Sequence, residues 1–122
     1  MQKKTVLLVD DDEDFGKLVA INLEATGKYE VCIVTRTSGD FHEVYDAMPD
    51  VILLDVVIGD VDGFRFVQDI KLNDDLKHIP IIFVTALVKS DEVKEIESFF
   101  GKIPYLIKPV TTEQLMREID KY

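Results

Sequence analysis

Three apolar stretches of this chain run straight into residues that handle phosphate and metal. Val6-Leu7-Leu8-Val9 is followed by Asp10 and Asp11, Val51-Ile52-Leu53-Leu54 by Asp55, and Tyr105-Leu106-Ile107 by Lys108. Strands packed in parallel would bring all of these charged ends to one edge of one sheet. Two carboxylates ~6 Å apart repel by roughly 3 kcal/mol at an effective dielectric near 20, so a cluster of them needs positive charge. A divalent cation together with Lys108 supplies it, and that combination is the equipment of phosphoryl chemistry. Mg²⁺ takes octahedral oxygen ligands and uses only one or two carboxylates, leaving room for water and phosphate; Mn²⁺ is the substitute. Asp11 and Asp55 suit direct ligation, Asp10 suits a bound water, and the backbone carbonyl of Val57 can complete the protein's share. A carboxylate beside such an ion is a nucleophile towards phosphorus, and Asp55, facing the Asp10-Asp11 pair across the metal, is the candidate. Charge gathering on the transferred group falls to the metal, to Lys108, and to the Thr85 hydroxyl with the Ala86 N–H.

The elements that must position these groups are legible as a pattern. Short, solidly apolar runs recur at Val6–Val9, Val31–Val34, Val51–Leu54, Ile81–Val84 and Tyr105–Ile107, the signature of strands covered on both faces. Between them apolar residues return at helical spacing: Phe15, Leu18, Val19 and Leu23; Phe41, Val44, Tyr45 and Met48; a weaker set over Phe64–Lys71; Val93, Ile96 and Phe100; and Leu115, Ile119 and Tyr122. Gly27 stops the first helix, Ser38 and Ser90 are placed as caps, Asp62-Gly63 marks a turn, and Pro80 and Pro104 open strands. Strands alternating with helices mean a parallel sheet with helices on both faces. The expected architecture is a flavodoxin-like, doubly wound five-stranded parallel sheet, order 2-1-3-4-5, with five helices. Its ligand crevice lies where the order reverses, between the strands ending at Asp10-Asp11 and at Asp55.

Bulk properties narrow the function classes. The 122 residues fit one domain, and a net charge of −10 opposes direct binding to nucleic acid. No apolar run reaches membrane-spanning length, and the run after the basic first residues is too short for a signal peptide. The single cysteine, Cys32, sits in an apolar run and is expected to be buried, which suits a reducing, cytoplasmic compartment. His42 and His78 stand in polar surroundings and are read as surface residues.

Order and spacing together resemble the receiver domain of two-component response regulators over essentially the whole chain, 1–122, with no output domain in it. The resemblance rests on Leu8-Val9-Asp10-Asp11, Leu53-Leu54-Asp55, Asp62-Gly63, Val84-Thr85-Ala86 and Tyr105-Leu106-Ile107-Lys108-Pro109. It implies phosphorylation at Asp55 from a phosphohistidine on a sensor histidine kinase or a histidine phosphotransfer protein. It also implies a cis peptide between Lys108 and Pro109 that aims Lys108 into the site. Thr85 and Tyr105 would form a switch that alters the surface of the fourth helix, fifth strand and fifth helix. The downstream partner would be another protein or a missing output domain, and a homodimer formed on phosphorylation is a further implied outcome. Such a protein is a regulatory phosphoacceptor rather than an enzyme, though it assists its own phosphorylation and slow dephosphorylation.

The chain departs from the family pattern in places. Gly59 stands where a proline is usual, and Lys102 where alanine is common. Val57 and Leu87 are both apolar and offer no hydrogen bond to an attacking water, so a long-lived phosphorylated state is expected. Phe100 continues an inward stripe that Phe99 cannot share, which leaves Phe99 either as flanking packing or as part of a docking patch. A haloacid-dehalogenase-type phosphatase would need a second acid where Val57 stands, and would need a substrate cap. An interaction module of the same fold that no longer accepts phosphate remains as an alternative, opposed by the intact Asp10, Asp11, Asp55, Thr85 and Lys108.

Overall fold

Alternation along the strands divides the interior in two. A computed structural model describes residues 2–36, 41–55, 57–58, 61–86, 94, 97–98 and 101–122, and the side chains of 57, 58 and 61–64 are not among those described. Strands β1 (Lys4–Val9), β2 (Tyr29–Val34), β3 (Val51–Leu54), β6 (Ile81–Thr85) and β7 (Tyr105–Ile107) form one sheet in the order β2-β1-β3-β6-β7, every pair parallel. This is the expected 2-1-3-4-5 winding. Leu7, Val9, Ile52, Leu54, Ile81 and Phe83 face one way, into a core closed by Val44 of α2 (His42–Ala47) and by Phe66, Val67 and Ile70 of α3 (Gly63–Leu72). Val6, Leu8, Val51, Leu53, Ile82 and Val84 face the other way, against Val19 and Leu23 of α1 (Glu13–Glu24) and Leu115 and Ile119 of α4 (Thr112–Ile119). A period of two in the strands therefore makes two separate cores, one per face.

Local chemistry sets the helix ends. Asp12 caps α1, its side chain accepting the Phe15 N–H. Thr111 and Gln114 form a reciprocal capping box at α4. Beyond α1 the chain turns through Gly27 at φ 78°, a conformation glycine adopts without steric cost. Pro80 and Pro104 precede β6 and β7 and lend their carbonyls to Ile52 N–H and Phe83 N–H at 2.9 Å each.

Several expectations need correction. Burial on both faces holds for β1, β3 and β6 but not for the sheet edges: β2 leaves Cys32 and Ile33 exposed, and β7 leaves Tyr105 and Ile107 exposed. An edge strand has one neighbour, so helices crossing the sheet centre overhang it incompletely. Leu18, Tyr45 and Met48 are likewise exposed, because the inward stripe of α1 runs through Phe15, Val19 and Leu23, and α2 ends at Ala47, before Met48. The antiparallel pair β4 (Val57–Ile58) and β5 (Val61–Asp62) is an addition to the expected elements, although β-branched Val57, Ile58 and Val61 on either side of Gly59-Asp60 are a hairpin signal. Four helices stand among the described residues. Of the segment expected to form another, Lys94, Glu97 and Ser98 are helical, while Val93, Ile96, Phe99 and Phe100 lie outside the described residues, as do Ser38, Ser90, Gly59 and Leu87.

Candidate functional site

The strand ends are held level by the sheet itself. Asp10, Asp55 and Lys108 each follow the last residue of a strand, and each extends the ladder by one backbone bond: Asp10 N–H to Val34 O at 3.0 Å, Asp55 N–H to Val9 O at 3.0 Å, and Lys108 N–H to Thr85 O at 2.9 Å. Their side chains therefore leave the sheet from fixed points along the same edge. Carboxylate oxygens of Asp10, Asp11 and Asp55 all lie within 4.8 Å of one another. Asp10 is fully buried, Asp11 is exposed, and the Asp55 side chain is 13% exposed.

Lys108 closes this cluster. Its Nζ donates to Asp10 Oδ2 at 2.7 Å and reaches Asp55 Oδ2 at 3.4 Å. The other Asp10 oxygen accepts the Asp12 N–H at 2.9 Å. A buried carboxylate carrying these two partners is well provided for, yet burial, outweighing the Lys108 and Asp12 bonds and aided by the Asp55 charge, still pushes the Asp10 carboxyl above its usual range. For Lys108 burial works against the charge, but the bond to Asp10 and the charges of Asp10 and Asp55 prevail and hold the ammonium above its ordinary value. Three carboxylates crowd together here, with Lys108 bridging two of them. Oxygen-only donors and this crowding fit a hard divalent cation such as Mg²⁺ or Mn²⁺.

The remaining residues singled out from sequence are divided between the main sheet and the small β4-β5 pair. Thr85 ends β6 and is buried, with Ala86 exposed just after it. Val57 opens β4 opposite Asp62. The Lys108–Pro109 peptide bond is cis. Tyr105, 47% exposed, lies at the opposite end of β7 from Lys108 and is not drawn into the cluster.

Two neighbours escaped the sequence reading. Asp12 bonds Asp10 and caps α1; an aspartate just before an apolar helical stripe is the signal for it. By spacing Phe15 belongs to the core stripe, yet its ring also lies under the Lys108 ammonium, with Nζ 4.1 Å from the ring centroid. Such a contact is worth roughly 0.5–2 kcal/mol depending on desolvation, and no spacing rule reveals it.

Comparison with known proteins agrees with this arrangement. The sequence model of the response regulator receiver domain matches residues 6–120. The chain is 32% identical to the DNA-binding dual master transcriptional regulator RpaA of Synechocystis, covering 93% of this chain and 46% of that protein. It is also 32% identical to the polar-differentiation response regulator DivK of Brucella anthropi, over 98% of this chain and 95% of the relative. It thus spans about half the length of the first of these relatives and nearly all of the second. Among solved structures, chemotaxis protein CheY4 of Vibrio cholerae superposes with a TM-score of 0.81 at 27% identity, covering 98% of each chain.

Proposed function

Since the chain belongs to the response regulator receiver domain family, we propose that it is a phosphoacceptor whose Asp55 takes a phosphoryl group from a phosphohistidine on a sensor histidine kinase or histidine phosphotransfer protein. The observation that carries this reading is the convergence of Asp10, Asp11 and Asp55 within 4.8 Å, with Lys108 Nζ on Asp10 and Asp55. An Asp55 oxygen attacks phosphorus in line. The P–N bond breaks, its electron pair returns to the donor imidazole, which takes up a proton, and an acyl phosphate remains on Asp55. Asp10, Asp11, Asp55 and the Val57 carbonyl would hold Mg²⁺, which when bound would neutralise charge on the phosphoryl oxygens. Lys108 turns from Asp10 to a second oxygen, and the Thr85 hydroxyl with the Ala86 N–H receives the third.

As a regulatory phosphoacceptor, the protein passes the change to a partner or an output domain through the surface around Thr85 and Tyr105. Differential affinity of that partner for the two states drives the shift, with phosphorylation-linked homodimerisation as one form of it. Residues 1–122 act as one receiver unit, working in the cytoplasm without direct contact to nucleic acid. No helix among the described residues is long and apolar enough to cross a membrane.

Incubation with acetyl phosphate and Mg²⁺, followed by intact mass, tests the assignment. One added phosphoryl group on the wild type and none on Asp55→Asn is the expected result; no adduct on the wild type, or an equal one on the variant, removes it. The apolar side chain of Val57 gives an attacking water no partner, so the acyl phosphate decays slowly and Val57→Asn shortens its lifetime about tenfold. An unchanged decay rate would sink that part.

A further inference from the structure

The contacts around Lys108 form a closed circuit that includes one apolar residue. Asp10 Oδ1 accepts the Asp12 N–H at 2.9 Å, Asp12 Oδ1 accepts the Phe15 N–H at 3.1 Å, the Phe15 ring lies 4.1 Å from Lys108 Nζ, and that Nζ donates to Asp10 Oδ2 at 2.7 Å. An ammonium nitrogen has three N–H groups. Asp10 and Asp55 take two of its directions, and the negative face of the Phe15 ring takes up another side. Phe15 is itself half-buried and packed against the core beneath α1, so the ring cannot drift away.

We propose that Phe15 is a positioning residue for Lys108, its ring face holding the ammonium at the junction of Asp10 and Asp55 so that a phosphoryl group formed on Asp55 finds its cation already in place. This rests on the phosphoacceptor reading for its consequence, though not for its geometry. A lysine side chain has four rotatable bonds and a strongly hydrated head. Left to water, it would have to be collected at the moment charge develops; against the ring it needs only a short turn from Asp10. The N-terminal turn of α1 thus does two things at once, since the Asp12 cap that fixes the helix start also fixes the ring.

The test separates an electrostatic role from plain packing. Mono-, di- and trifluorophenylalanine placed at position 15 keep the ring's shape while draining its negative face. Phosphorylation by acetyl phosphate with Mg²⁺ should slow step by step across the series, reaching about threefold to tenfold, and Phe15→Leu should slow it at least as much. In the ion-free protein, the Lys108 Hε resonances should be shifted upfield by the ring and return to ordinary lysine values in Phe15→Leu. A flat rate across the fluorinated series, or Hε shifts indifferent to Phe15, overturns the proposal. Should the wild type take up no phosphoryl group, the Asp55 reading fails, and the Hε shifts still decide whether Phe15 holds Lys108.

Discussion

The two ends of the sheet both gather charged residues, and they treat them differently. At the amino end Lys4 Nζ donates to the backbone oxygens of Ile119 at 3.2 Å and Tyr122 at 2.7 Å. Asp50 accepts the Thr5 N–H at 2.8 Å and returns its own N–H to the Thr5 carbonyl at 2.8 Å, while the Tyr29 hydroxyl donates to Asp120 Oδ1 at 2.5 Å. Each charge there is met by a dipole that belongs to the fold. At the carboxyl end Asp10, Asp11 and Asp55 crowd together with Lys108 as the base that bridges two of them. One end uses polar groups to fasten strands and helices; the other gathers like charges within reach of one another, where a bound cation lowers their repulsion.

The widest separation should come from matched substitutions at the two ends. Asp55→Asn should abolish phosphoryl uptake without loss of stability, whereas Asp50→Asn should keep uptake and lower stability by about 1 kcal/mol, read by urea unfolding. If both variants lost stability and neither lost uptake, the contrast would be wrong. Alkali should strike the amino end first. Burial, with the bond to Asp120 and its charge, raises the Tyr29 hydroxyl to about 12 from 10.0. The folded state therefore prefers the neutral phenol: the stabilisation is complete below pH 10 and is lost as pH climbs from there towards 12, by on the order of 2 kcal/mol. Tyr29→Phe should remove that alkaline slope.

Smaller effects belong to the crowded end. Mg²⁺ at ten times its dissociation constant should raise unfolding stability by about 1.4 kcal/mol in the wild type and in Asp50→Asn, and by little in Asp10→Asn. Melting indifferent to millimolar Mg²⁺ would remove the metal from the account. Without the ion, the raised Asp10 pKa means that the folded state binds this proton more tightly than the unfolded chain does. Stability should then gain a contribution as pH falls below the folded value, a slope flattened in Asp10→Asn and read by subtracting the two profiles.

Much of this was legible in the sequence because the fold states it repeatedly. Solid apolar runs such as Val51–Leu54 read as strands of a covered parallel sheet, and charged residues directly after them then share an edge. What sequence alone left out depends on position across the sheet. Nothing in Val31-Cys32-Ile33-Val34 says that its strand lies at the edge with Cys32 outward. Similarly, Gly16 reads as a blemish in α1 until the packing shows that a Cβ there would stand 3.1 Å from Ile33 Cγ2. The helix approaches its strand closely because that residue has no side chain. Phe15 escaped for the opposite reason, a core residue by spacing whose ring also serves the site.

Strand β7 is three residues long and bonded along one side only, to β6. Lys108 follows one end and Tyr105 begins the other, roughly 10 Å away at the usual rise of a strand. Displacing an inner strand would break two ladders and open both cores. Moving β7 disturbs a single ladder and little buried surface, so the least costly mechanical path out of the charged cluster ends at an exposed tyrosine.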